Sequence, residues 1–214
     1  MSVKIVPALL TNDQKELAEL QRKLSFAPFV QLDIMDGAFV PSTSIPVEVL
    51  KHHPFPNSFE VHLMTYKPER YFKALKDMGA SGVVFHVEST DDVYLVIGEA
   101  KALDLKVSLA INPDTACNVL EAYIDDVDGI LFMTVYPGYY GSKFEDKVLG
   151  KIKQFRTLYP TANIAVDGGA KESNIADIKK AGVNTIYVGS AIAKAPDAKA
   201  AYQKLLSLAN NEGQ

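Results

Sequence analysis

Eight short, β-branched apolar runs, separated by segments of helical period, limit what this chain can fold into more than any other feature. The runs cover residues 3–6, 29–33, 58–63, 82–87, 106–111, 129–135, 163–167 and 185–189. Most of their positions are apolar, as in parallel strands buried on both faces, rather than alternating as in strands with one wet face. Between and after them the spacing predicts helices over 13–24, 44–51, 67–78, 91–103, 115–123, 143–159, 171–181 and 197–209. Thr11 or Asn12 can cap the first helix, and Pro46 fits the second only in its first turn. Pro68 and Gly79 frame the third with the usual asymmetry of helix starts and stops. Eight strand–helix units in a row argue for an α/β fold of the (β/α)8 TIM barrel type. An open doubly wound sheet is the alternative, but it rarely needs eight evenly spaced units. No linker or low-complexity tract breaks residues 1–214, so the chain reads as one domain with a frayed tail at 210–214.

Charge and cysteine content exclude several function classes. Net charge is −4 with Lys and Arg dispersed, so no basic block marks a nucleic-acid surface. No apolar stretch reaches the roughly 20 residues of a membrane helix, and the N-terminus lacks the layout of a secretory signal. The one cysteine, Cys117, permits no intrachain disulfide and reads as a small buried residue on a helix. These features imply a cytoplasmic protein with neither a nucleic-acid nor a membrane partner.

In a barrel of this kind, chemistry sits at the carboxyl ends of the strands. Those ends present Ala8, Asp33, His62, His86, Asn112, Met133 with Pro137 and Gly138, Asp167, and Gly189 with Ser190. A ring of polar groups after apolar runs points to a site, because buried polar groups cost free energy unless paired. Asp33 and Asp167 can flank one small substrate as general base and general acid. With His62 they could supply one nitrogen and two oxygens to a divalent ion. His86 shows no equally clear partner, and Asp36 beside Gly37 suits a turn-forming role at least as well as a catalytic one. Met35, Met64 and Met133 could form an apolar wall that keeps water from a charged intermediate. A glycine-containing loop, Tyr136-Pro137-Gly138-Tyr139-Tyr140-Gly141-Ser142, opens the sixth helix, and Gly168-Gly169 and Gly189-Ser190 form turns after the last two strands. Backbone N–H groups at such turns bind anions, and this corner of a barrel is a recurrent phosphate site.

These residues resemble the ribulose-phosphate 3-epimerase family across nearly the whole chain. The resemblance rests on Leu32-Asp33-Ile34-Met35-Asp36-Gly37-Ala38-Phe39-Val40-Pro41 and on Val61-His62-Leu63-Met64 followed by Lys67-Pro68-Glu69-Arg70-Tyr71. Further blocks follow in order: His86-Val87-Glu88, Met133-Thr134-Val135-Tyr136-Pro137-Gly138, Val166-Asp167-Gly168-Gly169 and Gly189-Ser190-Ala191-Ile192. The resemblance implies an isomerase that inverts the carbon next to the ketone of a ketopentose or ketohexose phosphate. Asp33 and Asp167 would be the acid/base pair, and Asp33, His62 and Asp167 the ligands of a divalent metal ion (Zn, Fe, Mn or Co). Met35, Met64, His86, Met133, Gly138, Gly141 and Ser142 would contact substrate. Gly141, Gly168, Gly169, Gly189 and Ser190 would hold its phosphate, and the protein would be a homo-oligomer.

The departures gather at the metal. Gln31 stands where the family carries a metal-binding histidine, and Ala8 where it carries a serine. Tyr140-Gly141 replaces a glycine pair. An amide is a poorer zinc ligand than imidazole. The site would then hold a harder, oxygen-preferring ion, or act without metal with Gln31 donating to a substrate oxygen. A noncatalytic or repurposed paralogue that binds a phosphorylated sugar is the alternative function. A phosphosugar decarboxylase on a similar barrel is disfavoured, because Asp33-Ile34-Met35-Asp36 lacks that class's lysine.

Overall fold

All eight apolar runs form strands, because β-branched side chains suit a pleated surface that is covered on both sides. The computed structural model describes residues 2–138 and 142–211. The strands are β1 (Lys4–Leu9), β2 (Phe29–Met35), β3 (Ser58–Met64), β4 (Gly82–His86), β5 (Lys106–Ile111), β6 (Gly129–Met133), β7 (Ile164–Asp167) and β8 (Thr185–Val188). They pair in sequence order, all parallel, and β8 closes on β1. The helices are α1 (Gln14–Lys23), α2 (Val47–Leu50), α3 (Glu69–Asp77), α4 (Val93–Ala102), α5 (Lys147–Leu158), α6 (Ile175–Lys180), α7 (Ser190–Ala193) and α8 (Ala198–Asn210). Among the described residues no helix is long and apolar enough to cross a membrane.

The core has two compartments. Between sheet and helices lie side chains such as Leu32, Ile34, Phe72, Leu75, Ile152, Phe155 and Leu205. Inside the barrel a smaller cluster holds Val6, Ala8, Val84, Ala110, Leu131, Met133 and Tyr187. Below the carboxyl end the interior contains a polar pair, with the Tyr187 hydroxyl donating to Glu60 Oε1. Burial pushes the Glu60 carboxyl pKa up, and the tyrosine bond opposes this. Beneath that pair the strands carry small groups such as Gly82, Ser108 and Ala165, and a cavity of about 710 Å³ opens at the amino ends.

Several expected boundaries differ from the structure. β1 runs on through Pro7 to Leu9. Its lower half, Lys4 to Pro7, pairs with β8, while Ala8 and Leu9 pair with β2. The proline, which lacks an N–H, sits where the strand changes partner. Asp13, not Thr11 or Asn12, caps α1: its carboxylate accepts from Lys15 N and Glu16 N at 2.8 and 2.9 Å. Asp13→Ala is expected to lower unfolding free energy by about 1 kcal/mol, read from urea melts. An unchanged midpoint would remove the cap from the account.

The helix expected over 115–123 is instead two short 3-10 turns, Cys117–Leu120 and Ile124–Asp126. Of these turns only Leu120 is fully buried, which is too little anchorage for a continuous amphipathic helix. Cys117 is therefore half-buried in a turn. The helix expected from 143 begins at Lys147, because Glu145 N bonds Thr134 O at 2.8 Å and holds the preceding segment against the end of β6.

Candidate active site

Strand alternation places the site. On β2, Leu32 and Ile34 face the helices, so Gln31, Asp33 and Met35 face the barrel interior. The ladders set Asp33 beside His62, Met35 beside Met64, and Met133 beside Asp167. The side chains meet as the ladders dictate. Asp33, His62 and Asp167 each offer a donor atom within 4.8 Å of the others. His62 Nδ1 lies 3.1 Å from Asp33 Oδ1 and 3.3 Å from Asp167 Oδ2.

Gln31 has no exposed surface and binds the same two oxygens. Its Nε2 donates to Asp33 Oδ1 and to Asp167 Oδ2, both at 3.2 Å. It thus bridges the two carboxylates, a role that the sequence reading did not assign. His86 does have a partner, contrary to expectation: its Nε2 lies 3.0 Å from His62 Nε2, and the rings stack at 5.2 Å. On its other side Nδ1 approaches Glu88 Oε2 at 3.4 Å. Glu88 in turn accepts from Asn112 N at 2.9 Å and from the Thr115 hydroxyl. His86 therefore stands behind His62 as a support. The shared inward parity of β3 and β4 was the available signal.

Asp36 serves the turn. Its Oδ1 accepts from Ala38 N and Phe39 N, both at 2.9 Å. Its Oδ2 accepts from Tyr66 N at 2.9 Å and from Arg70 Nη2 at 3.2 Å, tying the loop after β2 to the loop after β3 and the first turn of α3.

The electrostatics follow from burial. Desolvation raises the Asp33 pKa, repulsion from Asp167 adds to it, and bonds from His62 and Gln31 only partly offset them, leaving it at about 6. An aspartate so poised is ionised at neutral pH and is a stronger base than a free one. Burial disfavours the charged form of His62. Its bonds to Asp167 and Asp33, with their charges, outweigh that and push its pKa up to about 9. His86 moves the other way: burial lowers its pKa, and the charge of His62 lowers it further.

Above these groups lies a cavity of about 110 Å³. Asp33 and Asp167 open into it, and Met64, Met133, Gly138, Ser142, Gly168, Gly169, Gly189 and Ser190 line it together with Ala8. The turn glycines on the β7 and β8 sides thus come to one corner, facing the two carboxylates. Two expected contacts do not reach the lining. Met35 packs with Met64, Val40, Leu10 and Phe39 to one side. His86 lies behind His62. Of the three methionines, Met64 and Met133 line the cavity and Met35 packs against Met64. The expected role of Gly141 falls outside the described residues. A residue that sequence reasoning missed is Thr134, whose hydroxyl donates to Asp167 O at 2.9 Å and Gly168 O at 2.6 Å and so shapes the turn after β7.

The residues present fit a divalent cation. Two carboxylate oxygens and an imidazole nitrogen form a set that first-row divalent ions accept. His62 keeps its second ring nitrogen on His86, the outer hydrogen bond that a metal-bound histidine requires. Gln31 Oε1, on the buried amide whose nitrogen faces the carboxylates, has no hydrogen-bond partner among the described residues.

The sequence profile of the ribulose-phosphate 3 epimerase family matches residues 3–193. The chain is similar to the ribulose-phosphate 3-epimerase of Schizosaccharomyces pombe, with 35% identity over 199 residues covering 90% of this chain and 87% of that protein. It is also similar to that of Aquifex aeolicus, with 32% identity over 212 residues covering 95% and 96% of the two chains. Among solved structures, KGPDC from Streptococcus mutans superposes with a TM-score of 0.73 at 13% identity over 98% of each chain. That last likeness speaks for the barrel alone. A profile match over most of the chain, with relatives at this identity along nearly its full length, means that the chain belongs to the ribulose-phosphate 3-epimerase family.

Proposed function

We propose that this protein is a phosphosugar 3-epimerase that acts on D-ribulose 5-phosphate or a similar ketopentose or ketohexose phosphate. The observation that carries the proposal is the convergence of Asp33 and Asp167 on one cavity that is also lined by the glycine turns after β7 and β8. Backbone N–H groups around Gly168, Gly169, Gly189 and Ser190 would hold the phosphate. The sugar then lies between the carboxylates. One carboxylate takes the proton from C3, and the C–H electron pair moves into a C2–C3 double bond as the C2 carbonyl becomes an oxyanion. The other carboxyl returns a proton to the opposite face of C3, and the carbonyl re-forms. Asp33 is suited to both roles because its pKa of about 6 makes the two protonation states accessible near neutrality.

Asp33, His62 and Asp167 would hold a divalent cation, which when bound supplies positive charge opposite the developing oxyanion. His86 and Glu88 keep the His62 ring in place, and Met64 and Met133 exclude water from the reacting face. Both aspartates facing one cavity weigh against the noncatalytic alternative. The single cysteine supports a cytoplasmic setting, and the family suggests a homo-oligomer built from one ribulose-phosphate-binding barrel.

The test is solvent exchange. In deuterated water the protein should wash deuterium into C3 of D-ribulose 5-phosphate and produce the C3 epimer, with added divalent metal increasing the rate. No exchange with any pentulose or hexulose phosphate, with or without metal, would sink the proposal.

A further inference from the structure

Gln31 presents its nitrogen to the place where a cation would need a lone pair. Its Nε2 sits 3.2 Å from both Asp33 Oδ1 and Asp167 Oδ2, the oxygens that His62 Nδ1 also faces. A cation held by those two oxygens and His62 would meet the amide N–H groups, which have no lone pair to give. The amide oxygen is buried with no hydrogen-bond partner among the described residues. A buried acceptor left unpaired is costly and needs a reason. Turning the terminal amide by about 180° exchanges its two ends with little change of shape, since they are nearly isosteric. The turn would put Oε1 beside the carboxylates and send the NH2 the other way. Glu60, the register partner of Gln31 on β3, carries the neighbouring carboxylate in that ladder.

We infer that Gln31 is a metal-responsive ligand: its NH2 bridges Asp33 and Asp167 as seen here, and its amide turns on loading so that Oε1 becomes the fourth donor to a divalent cation. The resulting set is three oxygens from Asp33, Asp167 and Gln31 with one nitrogen from His62. Oxygen-rich sets suit manganese and magnesium, whereas each added imidazole favours zinc. Gln31 therefore sets which ion the barrel takes. The inference rests on reading Asp33, His62 and Asp167 as a cation centre, and its test reads binding rather than turnover.

The experiment measures Mn2+ and Zn2+ affinity by competition with a chelator for the parent, Gln31→His and Gln31→Leu, each checked for folding by its thermal melt. Gln31→His should move the ratio of zinc to manganese affinity toward zinc by roughly 10-fold or more. Gln31→Leu should weaken manganese binding by about 10-fold or more, because it removes a ligand. Equal or tighter manganese binding by Gln31→Leu would overturn the inference, since the amide would then act only as a plug that competes with the ion. A readout needing no variant to bind metal is the 15N-resolved side-chain NH2 signal of Gln31, identified by its loss in Gln31→Leu. Titrating the parent with Mg2+ should shift this signal. A signal that stays in place while magnesium binds would overturn the inference without touching the epimerase reading, and a parent that binds no divalent ion would overturn it together with the cation centre.

Discussion

Asp33→Asn is expected to lower kcat for epimerisation by about 1000-fold, within the range for a positioned general acid or base, while leaving proton exchange alive from one side only. The asparagine keeps the shape and can still pair with His62 and Gln31, but it cannot take a proton. The epimer whose C3 hydrogen points at Asp167 can still lose it to Asp167 and regain deuterium from the same face. That epimer exchanges without inverting, and the other does neither. Asp167→Asn should give the mirror image, with exchange confined to the opposite epimer. Both aspartates also face the candidate cation, so a bare loss of rate would not separate acid/base work from metal loss. The opposed exchange patterns do separate them. They would be read by NMR of each epimer incubated separately in deuterated water with metal in excess. If both variants exchanged the same epimer, the two carboxylates would not stand on opposite faces of the sugar.

Gly168→Ala is expected to destabilise the fold by about 2–4 kcal/mol and to raise KM for the phosphorylated substrate by roughly 10-fold or more. Gly168 has φ of +111°, a conformation that side chains with a Cβ rarely adopt. A Cβ there would lie 2.4 Å from Val135 Cγ2 and 2.9 Å from Val135 Cγ1. The valine follows β6, and the neighbouring Thr134 hydroxyl already bonds Gly168 O, so the turn has little room to yield. Any relaxation would displace the N–H groups proposed to hold phosphate. Val135→Ala in the same chain removes the two methyl clashes but leaves a tight approach of 3.1 Å to the Cβ of residue 135 and the backbone strain. The double variant should therefore recover part of the stability, with a positive coupling of about 1 kcal/mol. Urea unfolding measures the first effect and initial rates the second. A Gly168→Ala protein as stable as its parent would show that the turn is not rigid.

Which parts of this architecture were legible in the sequence follows from the physics. Strand positions read well because burial on both faces leaves nearly uninterrupted Val, Ile, Leu and Phe. Strand ends read less well. Met35 and Met64 extend β2 and β3 beyond the expected limits because they pair with each other in register, a long-range event invisible in either segment alone. The turns at 117–126 carry a helix-like spacing, yet the fold gives them only Leu120 to bury. The delayed start of α5 depends on the bond from Glu145 N to Thr134 O, two residues on different layers of the barrel.

The site divides in the same way. Asp33, His62 and Asp167 were legible because each ends an apolar run where a charged or polar group is out of place. The Asp36 turn was legible from its neighbour Gly37. Gln31 was noticed as a substitution for histidine, but its contact with Asp167 spans 136 positions and needs the closed barrel. His86 was missed as a partner for a similar reason: only the β3–β4 register, which sets His62 level with Val84 and so places His86 one inward step above it, turns two isolated imidazoles into a pair.

The four hydrogen bonds of the Asp36 carboxylate have a mechanical consequence. Two of them, from Tyr66 N and Arg70 Nη2, cross to the loop after β3 and the start of α3, and the edge-on contact of Phe39 with Tyr66 at 5.4 Å reinforces this link. Lifting either loop alone would break both of these bonds. Opening this side of the mouth by moving both loops together would keep those contacts, whereas moving one loop alone would give them up.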